Sequence, residues 1–121
     1  MRRIKQIFFL VALVLISACS VTQSRYSWLG KPYQPLAKDA PVDIYKEANP
    51  EKPYVKVARL DVHLEKTHFI NSDFKDALPE LIKQARLAGA DAIIEIKERK
   101  SSLLTETKIY HVTATGIKYV N

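Results

Sequence analysis

Apolar and polar residues alternate most regularly over positions 54–65, and the alternation changes phase once. Val55 and Val57 are apolar on one parity, whereas Ala58, Leu60, Val62 and Leu64 are apolar on the other. A strand with one buried face changes parity only through a bulge or a bend, so the pattern predicts a bulge near Val57 and Ala58. Further along, Phe74, Ala77, Leu78, Leu81, Ile82, Ala85 and Ala88 recur at helical spacing, and Lys75, Glu80, Lys83, Gln84 and Arg86 fill much of the other side. Proline costs about 3 kcal/mol deep in a helix but little in the first turn. Pro79 therefore points to Asp76 as N-cap, after a separate turn over residues 71–75. Gly89 is the expected stop.

The remaining elements are strands. Asp43, Ile44 and Tyr45 form a short one, closed by a turn-rich stretch with Asn49, Pro50 and Pro53. Residues 92–99 carry Ile93, Ile94 and Ile96, and residues 101–106 make a hairpin loop or outer arm. Residues 107–120 form the longest strand. There Tyr110, Val112 and Ala114 share one parity, Ile117 and Tyr119 the other, and Gly116 stands at the apparent switch as a bulge glycine would. The predicted fold is α+β: a small antiparallel sheet in the order β-β-α-β-β, one amphipathic helix on one face, and a flexible tether ahead of it. Residues 20–41, with Pro32, Pro35 and Pro41 and neither periodicity, supply the tether. Tyr26 and Trp28 interrupt it. They are scattered aromatics of a mobile linker, or they lie at lipid headgroups, dock on the domain, or bind a partner.

The first residues follow a different logic. A basic start with Arg2, Arg3 and Lys5 precedes an apolar core of about eleven residues, Ile7 to Ser17, within the range of export signals and short of the roughly 20 needed to span a bilayer. Ile16-Ser17-Ala18-Cys19 resembles the bacterial lipobox. That resemblance implies cleavage before Cys19 and acylation of its thiol, so residues 1–18 form a signal peptide and residues 19–41 a lipidated cysteine with its tether. The compact domain spans residues 42–121. Ser20, rather than Asp, at the second mature position resembles the pattern sorted to the outer membrane rather than the inner one, with the domain facing the periplasm or the surface.

Charge then changes meaning. The chain of 121 residues has 19 basic and 13 acidic residues, a net +6, but three of the basic ones belong to the export signal. The remaining excess is ordinary and gives no support to nucleic-acid binding. Cys19 is the single cysteine; once acylated, it leaves no disulfide and no thiolate metal site.

Candidate chemistry is sparse. Asp61, His63 and Glu65 share one strand face with Arg59, and neighbours on that face are about 6.6–6.8 Å apart. They form either a solvated face with cross-strand ion pairs or, for Asp61 and His63 with His111, part of a divalent-metal site. No nucleophile elbow, Cys–His pair, HExxH motif or phosphate-cradling glycine loop occurs. Glu95 and Glu98 sit among Lys97, Arg99 and Lys100, a charged strand end. The expectation is a protein that is not an enzyme and takes no cofactor. Leu103 and Leu104, flanked by serines and Thr105-Glu106, either fold back or stand exposed for a partner.

The segments PYVKVARL, ALPELIKQARLAGADAIIEI and TATGIKYV together resemble two related groups of small bacterial domains. One is the heavy-metal-binding domain family; the other holds the outer-membrane lipoprotein that senses envelope damage for the Rcs phosphorelay. The likeness covers residues 42–120 and is sharpest in the helix and GADAII. It implies the fold and an envelope setting. The stress sensors carry domain disulfides, which this sequence cannot form, and a soft-metal site lacks its cysteines here. The expected function is a lipid-anchored, non-catalytic envelope protein acting as sensor, adaptor or assembly subunit. Its partners are the membrane, through acyl chains on Cys19, and an envelope protein. The alternative is a periplasmic module for a small ligand or divalent metal.

Overall fold

The computed structural model describes residues 20–103 and 106–120; the expected export signal, Cys19 and Leu104 lie outside them. Five strands and one helix follow in the order β1 (Ser20–Trp28), β2 (Asp43–Ile44), β3 (Tyr54–Lys66), α1 (Phe74–Ala88), β4 (Ala92–Leu103) and β5 (Thr107–Tyr119). They form one sheet in the order β1-β3-β5-β4-β2. Every pairing is antiparallel except β2 with β4. The fold class is therefore α+β, with one helix on a mostly antiparallel sheet. The expected β-β-α-β-β order is corrected: a further strand precedes the others.

That strand lies in the predicted tether. Ser20–Trp28 pairs with β3 over nine consecutive residues, from Ser20 opposite Lys66 to Trp28 opposite Ala58. It shows no hydrophobic alternation because it is an edge strand with one face in solvent. Only Tyr26 and Trp28 on its helix side are large and apolar, and they pack against the main core. The proline-bearing segment after it is also docked. Leu29 donates its N–H to the Val57 carbonyl at 3.0 Å, and Leu36 donates to the Arg86 carbonyl at 2.8 Å. Arg86 Nε donates to the Ala40 carbonyl at 2.8 Å. The segment is a strap that runs past the C-terminal end of α1 from one sheet edge to the other.

The core lies between α1 and one face of the sheet. Leu60, Val62 and Leu64 of β3 and Tyr110, Val112 and Ala114 of β5 meet Ala77, Leu81, Ala85 and Ala88 of α1, all of them buried. The expected bulge is present: the β3–β5 register shifts between Lys56 and Ala58, so Val57 and Ala58 both reach this core. Gly116 marks no switch in β5. It lies opposite Ala58, across from the bulge, and a Cβ there would stand 3.0 Å from the Ala90 Cβ. Ile117 keeps its parity and joins Ala92 and Ile94 in a second, smaller cluster, flanked by Tyr45, Tyr54 and Tyr119. A second bulge, between Ile94 and Lys97, falls in β4, where Glu95 has φ of 54°.

The helix begins earlier than the proline suggested. Its N-cap is Asp73. Asp73 donates its backbone N–H to Asp76 Oδ2 at 2.7 Å, so Asp76 acts from the third helical position rather than as the cap. Pro79 falls in the second turn, and the carbonyl it leaves free belongs to exposed Lys75, where water can take it. Gly89 ends the helix as expected, in the left-handed region with φ of 77°.

Candidate functional site

The sheet face opposite the helix is polar and open along most of its length. Register places its residues in rows, since directly paired residues share a face. His63 lies opposite Gln23 on one side and His111 on the other, and Arg99 is opposite His111. The next row holds Arg25, Asp61, Thr113 and Lys97. Asp61, His63 and Glu65 thus share the face the alternation predicted, and His111 joins them by direct pairing.

Hydrogen bonds fix these side chains. His111 Nε2 contacts Asp61 Oδ1 at 2.7 Å, and its Nδ1 faces an Arg99 guanidinium nitrogen at 3.3 Å. A guanidinium only donates, so Nδ1 accepts. A neutral ring in this geometry carries its proton on Nε2, which donates to Asp61. His63 Nε2 contacts Glu65 Oε1 at 2.8 Å, and the two imidazoles meet edge to face at 5.6 Å. Each imidazole Nε2 is therefore engaged by a different carboxylate instead of pointing at a shared centre. Among the described residues, no three His, Cys, Asp or Glu side chains converge as a metal group.

The surrounding charge is mostly positive. A shallow depression of ≈ 350 Å³ is bordered by Arg59, Asp61, Lys97, Glu98, Arg99, His111 and Thr113. Among the described residues, Arg25, Arg59 and Lys97 have no carboxylate within ion-pair distance. Toward the bulge, Lys56 Nζ pairs with Glu95 Oε1 at 2.5 Å. That hydrogen bond holds the Glu95 carboxyl below the usual range and pushes the Lys56 ammonium up.

The other predicted residues divide. Tyr26 and Trp28 meet edge to face at 5.5 Å and pack on the core, so of the readings open to them, the mobile linker included, they take the docked one. Leu103 ends β4 opposite Thr107. β4 continues through Ser101 and Ser102, so the expected loop is shorter, and Leu104 is outside the described residues. Sequence reasoning missed Arg99 as a partner of His111, because the β4 bulge sets which residues of that strand face the histidines. It also placed Gln84 on the solvent side of α1, whereas Gln84 is buried, 2% exposed.

No protein-family model and no curated protein sequence matches the chain. Among solved structures, it is similar to a Francisella virulence factor, FvfA, in an orthorhombic crystal form. That likeness has 16% sequence identity and a TM-score of 0.49, and covers 78% of this chain and 97% of the other.

Proposed function

We propose that this protein is a lipid-anchored, non-catalytic component of the bacterial envelope that acts as an adaptor, binding an acidic protein surface through its helix-free sheet face. The observation that carries this reading is the set of cations, Arg25, Arg59 and Lys97, on a face that no helix covers. Facing charges of one sign steer association and set partner choice more than they set affinity. The lipobox resemblance at Ile16 to Cys19 supports the anchor, and the likeness to envelope stress sensors supports the setting.

Site-specific photocrosslinking from Gln23 and Thr113 in intact cells tests the adaptor role. A discrete protein adduct is expected, and it should be lost when Arg25 and Arg59 are both changed to Glu. Recovery of uncrosslinked monomer alone would overturn the reading. The alternative, a divalent-metal module, has one observation in its favour: His63 and His111 oppose each other on adjacent strands. Calorimetry with zinc, copper and nickel separates it, because metal binding must displace both carboxylate contacts and release heat.

A further inference from the structure

Ser20, Lys66, Lys108 and Ser102 form one continuous row across β1, β3, β5 and β4. Ser20 directly follows Cys19 in the sequence. No tether therefore separates the proposed lipid attachment from the fold. An acylated Cys19 holds this end of the sheet at the bilayer surface.

The same end carries Phe69, the most exposed large apolar side chain among the described residues. After Lys66 the chain turns, and Phe69 and Ile70 are 60% and 52% exposed. His68 and Phe69 both adopt left-handed backbone, with φ of 58° and 60°, a conformation that side-chain-bearing residues rarely take. The Phe69 N–H donates to the Glu106 carbonyl at 2.9 Å, which ties the turn to the β4–β5 hairpin. Val21, two residues after Cys19, adds a further apolar group at 42% exposure. Lysines stand behind the turn: Lys66 and Lys108 are paired across the strands, and Lys108 Nζ lies 5.9 Å from the Phe69 ring centre.

We propose that the turn bearing Phe69 and Ile70 inserts into the lipid surface that anchors Cys19, with Lys66 and Lys108 reaching its phosphates. The inference rests on the lipid-anchor reading. Apolar tips flanked by cations suit the headgroup boundary: the ring and branched chain enter the acyl region while the ammonium groups stay at the anionic layer. Insertion fixes the sheet upright on the membrane, with the opposite end, at Val120 and Pro53, pointing away. It also sets the polar face at a constant height for a partner.

Nitroxide accessibility on the full lipoprotein, in vesicles of phosphatidylethanolamine and phosphatidylglycerol, tests this. Ile70→Cys and, separately, Val120→Cys supply the labelling positions, since an acylated Cys19 cannot react. The expected result is one nitroxide per chain, with the label at 70 favouring oxygen over a water-soluble nickel chelate and the label at 120 favouring the chelate. Phe69→Ser should shift the label at 70 toward the chelate. One nitroxide per chain with both positions favouring the chelate would overturn the insertion and leave the anchor standing. Two nitroxides per chain mean a free Cys19 thiol, and both the anchor and the insertion then fail.

Discussion

Gln84 on the helix binds both backbone groups of Asp61 on β3. Its Oε1 accepts from the Asp61 N–H at 3.1 Å, and its Nε2 donates to the Asp61 carbonyl at 2.9 Å. The same Nε2 also meets Ser24 Oγ on β1. One buried amide thus joins the helix, the edge strand and the strand that carries the candidate site. Gln84→Leu keeps the volume and leaves Asp61 with an unpaired backbone donor and acceptor at a part-buried position. It should cost about 2–4 kcal/mol, the penalty of two unsatisfied backbone groups. Urea unfolding measures it, and an unchanged midpoint would refute the role.

How far such features could be foreseen depends on whether one face of an element is wet. The stripe from Phe74 to Ala88 and the alternation from Ala58 to Leu64 are legible because burial on one side forces an apolar period. The first strand is not, since Ser20, Thr22 and Ser24 are held by an edge ladder that accepts any side chain. Gln84 reads as polar surface because its burial is offset by hydrogen bonds that involve a backbone distant in sequence. Arg99 reaches His111 only through the bulge after Ile94, which depends on tertiary packing. Asp61, His63 and Glu65 were legible as neighbours; their individual partners were not.

The contacts of His111 make a spectroscopic prediction. With Arg99 donating to Nδ1, the neutral ring should be the Nε2–H tautomer, which two-bond nitrogen–proton NMR distinguishes directly. Arg99→Met removes the donor at Nδ1 and should raise the Nδ1–H population. A dominant Nδ1–H form in the unaltered protein would contradict the geometry.

Two exposed carboxylates predict the acid limb of stability. The hydrogen bond from Lys100 holds Asp73 below the usual carboxylate range, and the one from Lys56 does the same for Glu95. A carboxyl depressed in the folded state stabilises above its unfolded value, about pH 4. That contribution is lost as pH falls through the lower, folded value. The urea midpoint should therefore drop on acidification below about pH 4, and Lys56→Met with Lys100→Met should flatten the drop. An identical acid slope in the double variant would refute both pairs.

The six tyrosines should split on alkaline titration. Burial first, then the nearby Glu98 charge, pushes the Tyr110 phenol up. Burial also pushes Tyr119 up, reinforced by Tyr45, 2.9 Å away, and by Asp43, whose carboxylate accepts from the Tyr119 hydroxyl at 2.7 Å. Raised phenols stabilise fully below the unfolded value, near pH 10, and the contribution disappears as pH climbs toward the folded one. Ultraviolet titration should show these two ionising only with unfolding. Tyr119→Phe should shift the alkaline unfolding transition to higher pH.

Gly89 concentrates two demands at the end of the helix. Its φ of 77° favours glycine, and a Cβ there would stand 2.5 Å from the Gln34 carbonyl oxygen and 2.9 Å from the Tyr33 Cβ. The strap therefore approaches the helix end closer than any side chain permits. Gly89→Ala adds the left-handed penalty of roughly 1–2 kcal/mol and pushes the strap outward, weakening the bond from Leu36 to the Arg86 carbonyl. Hydrogen exchange should register both effects: faster exchange at the Leu36 amide and lower global protection. Pairing of the first strand, held by its own ladder to β3, should keep its protection relative to the rest of the sheet. A variant that destabilises the fold without loosening Leu36 would show that the glycine serves backbone conformation alone, and that the strap is fixed elsewhere.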